Sequence, residues 1–312
     1  MKTQLDCIPC FIRQALEAAR HAGADATVQK RVLRRVCRWA SEMDMAMTPP
    51  EMGQWIHRLI RERTGNSDPY ARCKSEFNRA ALELLPELRR QIAVSSDPFA
   101  TAVRLAIAGN AIDMGAYNGL DSSSLHQILT RALASPVTGA LDMLRAATAT
   151  ANSILYIADN AGEIVLDRLL IEHLGPSRVA VIVRGHPILN DATTADATAA
   201  GLDGLVEVMD NGSDAPGTLL PRCTPQVRHR FARADVVLAK GQGNYETLSE
   251  AMRPNVFFLL MAKCPVISDL LGCERNSLIV AQTHPSTTVP ENGVIPRSRP
   301  QQINKPEECD RH

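Results

Sequence analysis

The sequence predicts an α/β fold, a mostly parallel sheet preceded by an α-helical subdomain, and three observations carry that expectation. Short apolar runs of strand length recur through the second half, over 154–158, 178–183, 205–209, 235–239, 255–261 and 277–281. Helical stretches over 163–174, 192–200 and 225–234 alternate with them, which is the pattern of parallel strands joined by crossover helices. The first 150 residues, by contrast, show helical spacing without strand alternation. The expected organisation is therefore a helical subdomain over 1–150, an α/β domain over 151–282 and a tail over 283–312.

The helical half opens with Cys7-Ile-Pro-Cys10, which runs into an apolar stripe at Phe11, Ile12, Ala15, Leu16 and Ala19. A helix beginning beside Pro9 is expected, with Cys10 in its first turn. A thiolate there would be stabilised, so metal or redox chemistry is open to the pair, as is plain packing at a helix start. A structural zinc site needs four ligands, and no second C-x-x-C or H-x-x-x-H completes one. Further helices are expected over 28–43, 50–63, 70–92 with an interruption at Pro86, and 99–108. Two stretches place polar groups in apolar surroundings. Asp68-Pro69-Tyr70, with Lys74 and Asn78 on one helical face, reads best as a helix start. Asn110 and Asp113 lie among Leu105, Ala106, Ile107, Ile112 and Met114, so either needs a partner if buried, and both are candidate substrate-binding residues.

The second half is organised around 153–174. An apolar run stops at Asp159-Asn160, turns through Ala161-Gly162 and resumes with helical spacing at Ile164, Leu166, Leu169 and Leu170. Ligands of open α/β sheets bind where strands end, beside the NH groups of the following helix. Asn160 and Glu163 have the spacing of a helix cap, which is an alternative reading for both. Capping does not explain Asp159. A carboxylate at a strand end needs a partner, and an oxygen-seeking divalent cation supplies one if another acid converges on it. The next strand ends in Arg184-Gly-His-Pro-Ile-Leu-Asn190-Asp191, so Asp191 is that second acid unless it only caps the following helix. The strand over 235–239 ends in Lys240-Gly-Gln-Gly-Asn244. Gly241 and Gly243 let backbone NH groups approach an anion and Lys240 adds a charge, so the loop is expected to cradle a phosphate. It is weak as a dinucleotide fingerprint, because Glu246 occupies the place of the third glycine. From Thr283 the chain is rich in Pro, Ser, Gln and Asn without periodicity, and a disordered tail is expected.

Composition narrows the partners. The 34 Lys and Arg residues balance 34 Asp and Glu, so no net field attracts nucleic acid or an anionic membrane. No stretch approaches membrane-span length and the N-terminus lacks an apolar signal core, which leads to the expectation of a cytoplasmic protein. Its eight cysteines are then expected to stay reduced.

Cys7-Ile-Pro-Cys10, Asp68-Pro69-Tyr70, Gly109-Asn110 with Asp113, Asp159-Asn160-Ala-Gly-Glu163, Asn190-Asp191 and Lys240-Gly-Gln-Gly-Asn244 occur in that order. Together they resemble the damage-control phosphatase family, long called domain of unknown function 89, in its prokaryotic branch with an N-terminal C-x-x-C. The resemblance implies a metal-dependent phosphatase with a helical N-terminal region and a Rossmann-like C-terminal domain. It implies Asp159, Asn160 and Asp191 as metal ligands and Lys240 as a contact to the substrate phosphate.

The expected function is hydrolysis of a small phosphorylated metabolite, a phosphate monoester, with one hard divalent ion such as Mg, Mn, Co or Ni. Asp159, Asp191 and Lys240 are the expected catalytic residues. Lys240, Gly241, Gly243, Asn244, Asn110 and Asp113 are expected around the substrate. The alternatives are a nucleotide- or S-adenosylmethionine-dependent transferase and a non-catalytic phosphometabolite-binding protein. The substrate's identity and the oligomeric state are not legible.

Overall fold

The structure, a computed structural model, describes residues 1–111 and 122–283. Asp113 and the segment after Thr283 lie outside the described residues. The chain begins with α1 (Cys7–His21), α2 (Ala26–Glu42) and α3 (Pro49–Thr64), followed by α4 (Ala71–Val94), α5 (Pro98–Ala108) and α6 (Ser122–Ala134). A short strand β1 (Val137–Gly139) and α7 (Leu141–Thr150) come before β2 (Ile154–Ile157), α8 (Glu163–Leu174), β3 (Val179–Val183), α9 (Thr194–Ala199) and β4 (Glu207–Asp210). The chain then continues through α10 (Pro225–Arg233), β5 (Val236–Lys240), α11 (Gly241–Leu248), β6 (Val256–Met261), α12 (Pro265–Leu271) and β7 (Leu278–Gln282).

The seven strands form one sheet in the order β1-β7-β6-β5-β2-β3-β4. From β4 to β6 all neighbours are parallel, whereas β7 runs antiparallel to β6 and carries β1 parallel to itself. The mostly parallel α/β architecture is thus as expected from the alternating pattern. The connections leave β2 in opposite directions, to β3 on one side and eventually to β5 on the other. The gap between β2 and β5 is therefore the topological switch point, the position at which such sheets bind ligands.

Apolar side chains alternate across the sheet. Ile154 and Tyr156 join the core beneath α4, α5 and α8, while Leu155 and Ile157 join the core beneath α10, α11 and α12. α1, α2 and α3 share a core of their own, built on Phe11, Ala15, Val36, Met52 and Ile56. The helices after them belong to the sheet: Phe77 of α4 and Leu105 of α5 pack in one cluster with Leu166 and Val181.

Two expectations are corrected. The first 150 residues contain a strand, β1, which is too short at three residues to show any alternation. The helix expected to break at Pro86 continues through it. Pro86 is exposed, so the carbonyl that loses its donor can bond to water.

Candidate functional site

The chain turns sharply after β2. Gly162 holds φ +75°, and a Cβ there would lie 2.8 Å from Phe77 Cβ, so the turn is closed to other residues by both conformation and space. Its NH donates to Asn78 Oδ1 at 2.7 Å, and Asn78 in turn donates to Asp196 at 2.9 Å. Lys74 pairs with Asp68 at 2.8 Å and reaches Asp196 at 3.7 Å. The polar face of α4 thus supports the turn from behind, and Asp68 also accepts from the Tyr70 NH as a helix start should.

The turn after β3 is stitched to it. Asn160 and Asp191 form an antiparallel bridge, the Ala161 NH donates to the Asn190 carbonyl at 2.8 Å, and the Ala192 NH donates to the Asp159 carbonyl at 2.7 Å. Asp159 and Asp191 are consequently delivered side by side, and a single guanidinium reaches both. Arg184, fully buried at the end of β3, donates from Nε to Asp191 at 2.7 Å and brings Nη2 to 3.5 Å from Asp159. Its other nitrogen, Nη1, is 3.3 Å from both Thr218 and Asn244.

On the other side of Asp159 stand two amides. Asn110, just past the end of α5, donates to Asp159 at 3.0 Å and to Glu163 at 3.1 Å. Asn160 does the same at 2.7 and 2.8 Å. Behind them Glu163, Asp167 and Lys240 form a sealed cluster, each fully shielded from solvent. The Lys240 ammonium bonds to Glu163, to Asp167 at 2.8 Å and to the Ala106 carbonyl at 2.7 Å, and Tyr156 donates to Asp167 at 2.7 Å.

The charges do not balance. Among the described residues, Asp159, Asp191, Glu163 and Asp167 pair directly with two cations, Arg184 and Lys240, an excess of two negative charges if all are ionised, while Lys74 and Lys263 act on Asp191 and Asp159 from further away. Burial pushes the Asp159 carboxyl well above the ordinary range, and the charges on Glu163 and Asp191 push the same way. Burial also raises Asp191 despite Arg184, and it lifts Asp167 to about 7 against the pull of Lys240. Burial opposes the charge on Lys240, but Asp167 and Glu163 outweigh it and the ammonium is held more firmly than usual.

An open cavity of about 660 Å³ leads to this cluster. Asp159, Asn160, Asp191 and Asn110 line it from below, while Arg13, Lys263 and Arg275 stand in its walls. The Lys263 charge acts on Asp159. A second cavity, of about 560 Å³, lies at the opposite edge, where the strands begin beside Asn152, Arg178 and Glu207. It lies away from the C-terminal strand ends, where such sheets bind ligands.

Among the sequence-predicted residues, the structure brings Asp159, Asn160, Asp191 and Asn110 together. It does not bring Lys240 to the cavity. Its stem runs inward beneath Asp159, and the anticipated glycine loop is the first turn of α11. Gly241 serves close packing instead: at φ +74°, its Cβ would lie 1.8 Å from Asp159 Oδ2. Gly243 does line the cavity, where a Cβ would lie 2.2 Å from the Pro216 carbonyl, and Asn244 is buried, donating to the carbonyls of Ala158 and Lys240. Sequence reasoning missed Arg184, Asp167 and Lys263. Arg184 carried a signal, a charge closing an uninterrupted apolar run just as Asp159 does, whereas Asp167 and Lys263 had nothing to set them apart from solvated neighbours.

The chain matches the family profile described as Damage-control phosphatase ARMT1-like domain over residues 3–279. It is 32% identical over 285 residues to a protein named damage-control phosphatase from Pyrococcus horikoshii, covering 89% of this chain and 97% of that one. A protein of the same name from Archaeoglobus fulgidus is 35% identical over 228 residues, covering 72% and 79%. An uncharacterised protein of Methanocaldococcus jannaschii is 32% identical over 285 residues, covering 88% and 93%. The crystal structure of a DUF89 family protein from Pyrococcus horikoshii superposes with a TM-score of 0.82 at 31% identity, covering 91% of this chain and all of that one. On the extent of the profile match and of these identities, the chain belongs to the damage-control phosphatase ARMT1-like domain family.

Proposed function

We propose that this protein is a phosphatase that hydrolyses a small phosphate monoester, with a divalent cation held by Asp159, Asn160 and Asp191. The observation that carries the reading is the pair of carboxylates at adjacent strand ends, which line a cavity and share a single buried guanidinium. Two relatives bear the name damage-control phosphatase, which supports the same reaction class.

The donor set suits a hard ion: carboxylate oxygens and an amide oxygen, without thiol or imidazole. Among the described residues no three His, Cys, Asp or Glu side chains form a ligand group, so the set relies on the Asn160 amide and leaves further positions to water or substrate. When bound, such an ion supplies charge neutralisation at the phosphoryl group and a more acidic water.

The remaining roles fall to the chain itself. Arg184 holds Asp159 and Asp191 in register, donating from Nε to Asp191 and bringing Nη2 to 3.5 Å from Asp159. Asn110 fixes the rotamers of Asp159 and Glu163. Lys240 bonds to Glu163 and Asp167 and holds them in place, which makes it a positioning residue and not a phosphate contact. Lys263, Arg13 and Arg275 give the wall the positive charge that attracts a phosphate dianion. Lys263 acts on Asp159 and is the cation we assign to the phosphate.

Phosphate release from a panel of phosphate monoesters, measured with and without a chelator and after adding Mg²⁺, Mn²⁺, Co²⁺ or Ni²⁺, tests the reading. Release that stops on chelation and returns with metal is the expected result. Turnover indifferent to chelation would overturn the metal assignment, and tight binding of esters without release would make the protein a binding module.

A further inference from the structure

Cys7 and Cys10 are the sole C-x-x-C in the sequence, and nothing in the phosphatase reading uses them. They occupy the first turn of α1, where residues three apart have Cα atoms about 5 Å from each other by helix geometry. That lies inside the range of about 4.4–6.8 Å spanned by disulfides, so the two sulfurs can be joined with little backbone movement. Both are thiols in the structure, Cys10 exposed and Cys7 half-buried.

Their surroundings differ in a way that assigns roles. Arg13, one turn further on, points Nη2 at Cys10 Sγ across 3.7 Å, and α1 carries no acidic residue in its first turn. An exposed sulfur beside a cation at a helix start is the environment that reactive thiols share. Cys7 is more enclosed, and burial raises its thiol, with Glu246 and Cys264 adding to the effect. The third thiol nearby, Cys264, is already engaged as the cap of α12, accepting from the Ile267 NH at 3.4 Å. Cys7 and Cys10 also line the cavity that reaches Asp159 and Asp191.

We infer that Cys7 and Cys10 form a redox-active dithiol in the wall of this cavity, oxidised by low-molecular-weight disulfides. In the first step the Cys10 thiolate attacks one sulfur of the small disulfide. A Cys10–small-thiol bond forms, the original S–S bond breaks, and one small thiolate leaves. The Cys7 thiolate then attacks Cys10 Sγ, expelling the second small thiolate. The two protein thiols lose two electrons and two protons, and the small disulfide becomes two thiols. The Cys7–Cys10 bridge would form in the wall of the cavity that reaches the Asp159 cluster.

The test uses the full chain in glutathione redox buffers of graded ratio, with acid quenching, alkylation and mass spectrometry of the peptide carrying both cysteines. It does not require phosphatase activity, so it stands or falls apart from the reaction assigned above. The expected result is loss of two hydrogens from that peptide as the ratio becomes oxidising, reversed by excess reduced glutathione. Cys7→Ser is expected to accumulate glutathione on Cys10, and Cys10→Ser is expected to lose the adduct, with both variants retaining the far-ultraviolet circular dichroism of the parent. Thiols that stay alkylatable in every buffer, or a bridge that runs to Cys264, would overturn the inference. An adduct that forms on Cys7 but not on Cys10 would overturn it as well.

Discussion

Replacing Lys240 by Met keeps the aliphatic stem and deletes the ammonium, which makes it the sharpest probe of the buried cluster. The ammonium holds Glu163 and Asp167 and donates to the Ala106 carbonyl, and all three partners are enclosed. Removing one member of a buried ion pair costs about 3–5 kcal/mol, because the partner charge remains without compensation. Two carboxylates lose their cation here, so about 4 kcal/mol is expected, a large share of the roughly 5–15 kcal/mol that holds a typical domain. The loss depends on pH. Asp167 already sits at about 7 with Lys240 beside it, and without the cation it rises further. A carboxyl raised in the folded state is penalised once the unfolded chain ionises, above about pH 4, and the penalty grows until the folded group ionises too. Urea unfolding of metal-free Lys240→Met is therefore expected to show a larger deficit at about pH 8 than at about pH 5. A variant whose unfolding midpoint matches the parent at both values, while its KM for phosphate esters rises, would refute this reasoning and return Lys240 to the phosphate.

Asp159→Asn and Asp191→Asn are each expected to remove most turnover and weaken metal binding in calorimetry while the fold survives, since both carboxyls are raised and costly to ionise without a cation. Near-normal rate with unchanged metal affinity would leave the residue a cap. For the same reason metal binding should expel protons, with affinity rising as pH rises above the ordinary carboxylate range; calorimetry in two buffers of different ionisation enthalpy counts them, and zero release would contradict the raised carboxyls. Lys263→Ala should raise KM by the equivalent of about 1.5–3 kcal/mol with metal affinity retained, and unchanged kinetics across several esters would remove it from the substrate. Gly241→Ala places a methyl on Asp159 at a left-handed backbone position, so metal binding should fall without a change at any ligand, and a variant with parental affinity would show that α11 yields easily.

How far the sequence can be read depends on whether a residue's neighbours lie nearby in the chain. Most strands after β1 were legible as apolar runs between turn signals, Asp159 because an acid closing such a run is out of place, and Asp191 because it is the acid in the turn after the next strand. Parallel strands do the rest, since they bring their C-terminal ends to one edge. Lys240 had the same signature and a different outcome. A strand-end lysine beside glycines looks the same whether its ammonium goes to solvent, to a ligand or inward. The direction is decided by Glu163 and Asp167, which lie 77 and 73 residues away. Asp167 sits in the middle of a helix at a position that reads as amphipathic surface, yet both faces of that helix are covered, one by the sheet and the other by α4 and α5. The second layer of helices was the missing information, and it comes from the half of the chain that contributes only Asn110 to the cavity floor.

That arrangement explains why the first half is needed at all. A Rossmann-like sheet with Asp159 and Asp191 at its switch point would leave both carboxylates open to water, where their charges cost little and attract little. Covering the edge with α4 and α5 seals Glu163 and Asp167 and confines the unbalanced charge to a buried cluster. With all four ionised, Lys240 leaves one negative charge on Glu163 and Asp167, and one more rests on Asp159 and Asp191, the two carboxylates that face the cavity. Arg184 reaches both of them but cannot neutralise both. The helical layer thus keeps this demand out of bulk water, and the share on Asp159 and Asp191 is the part that a divalent cation would meet from the cavity. Opening the seal at Ala106 or Gly109 would relieve that demand by admitting water. A Cβ at Gly109 would come within 2.9 Å of Glu163, so even this small residue is fixed by the carboxylate it covers.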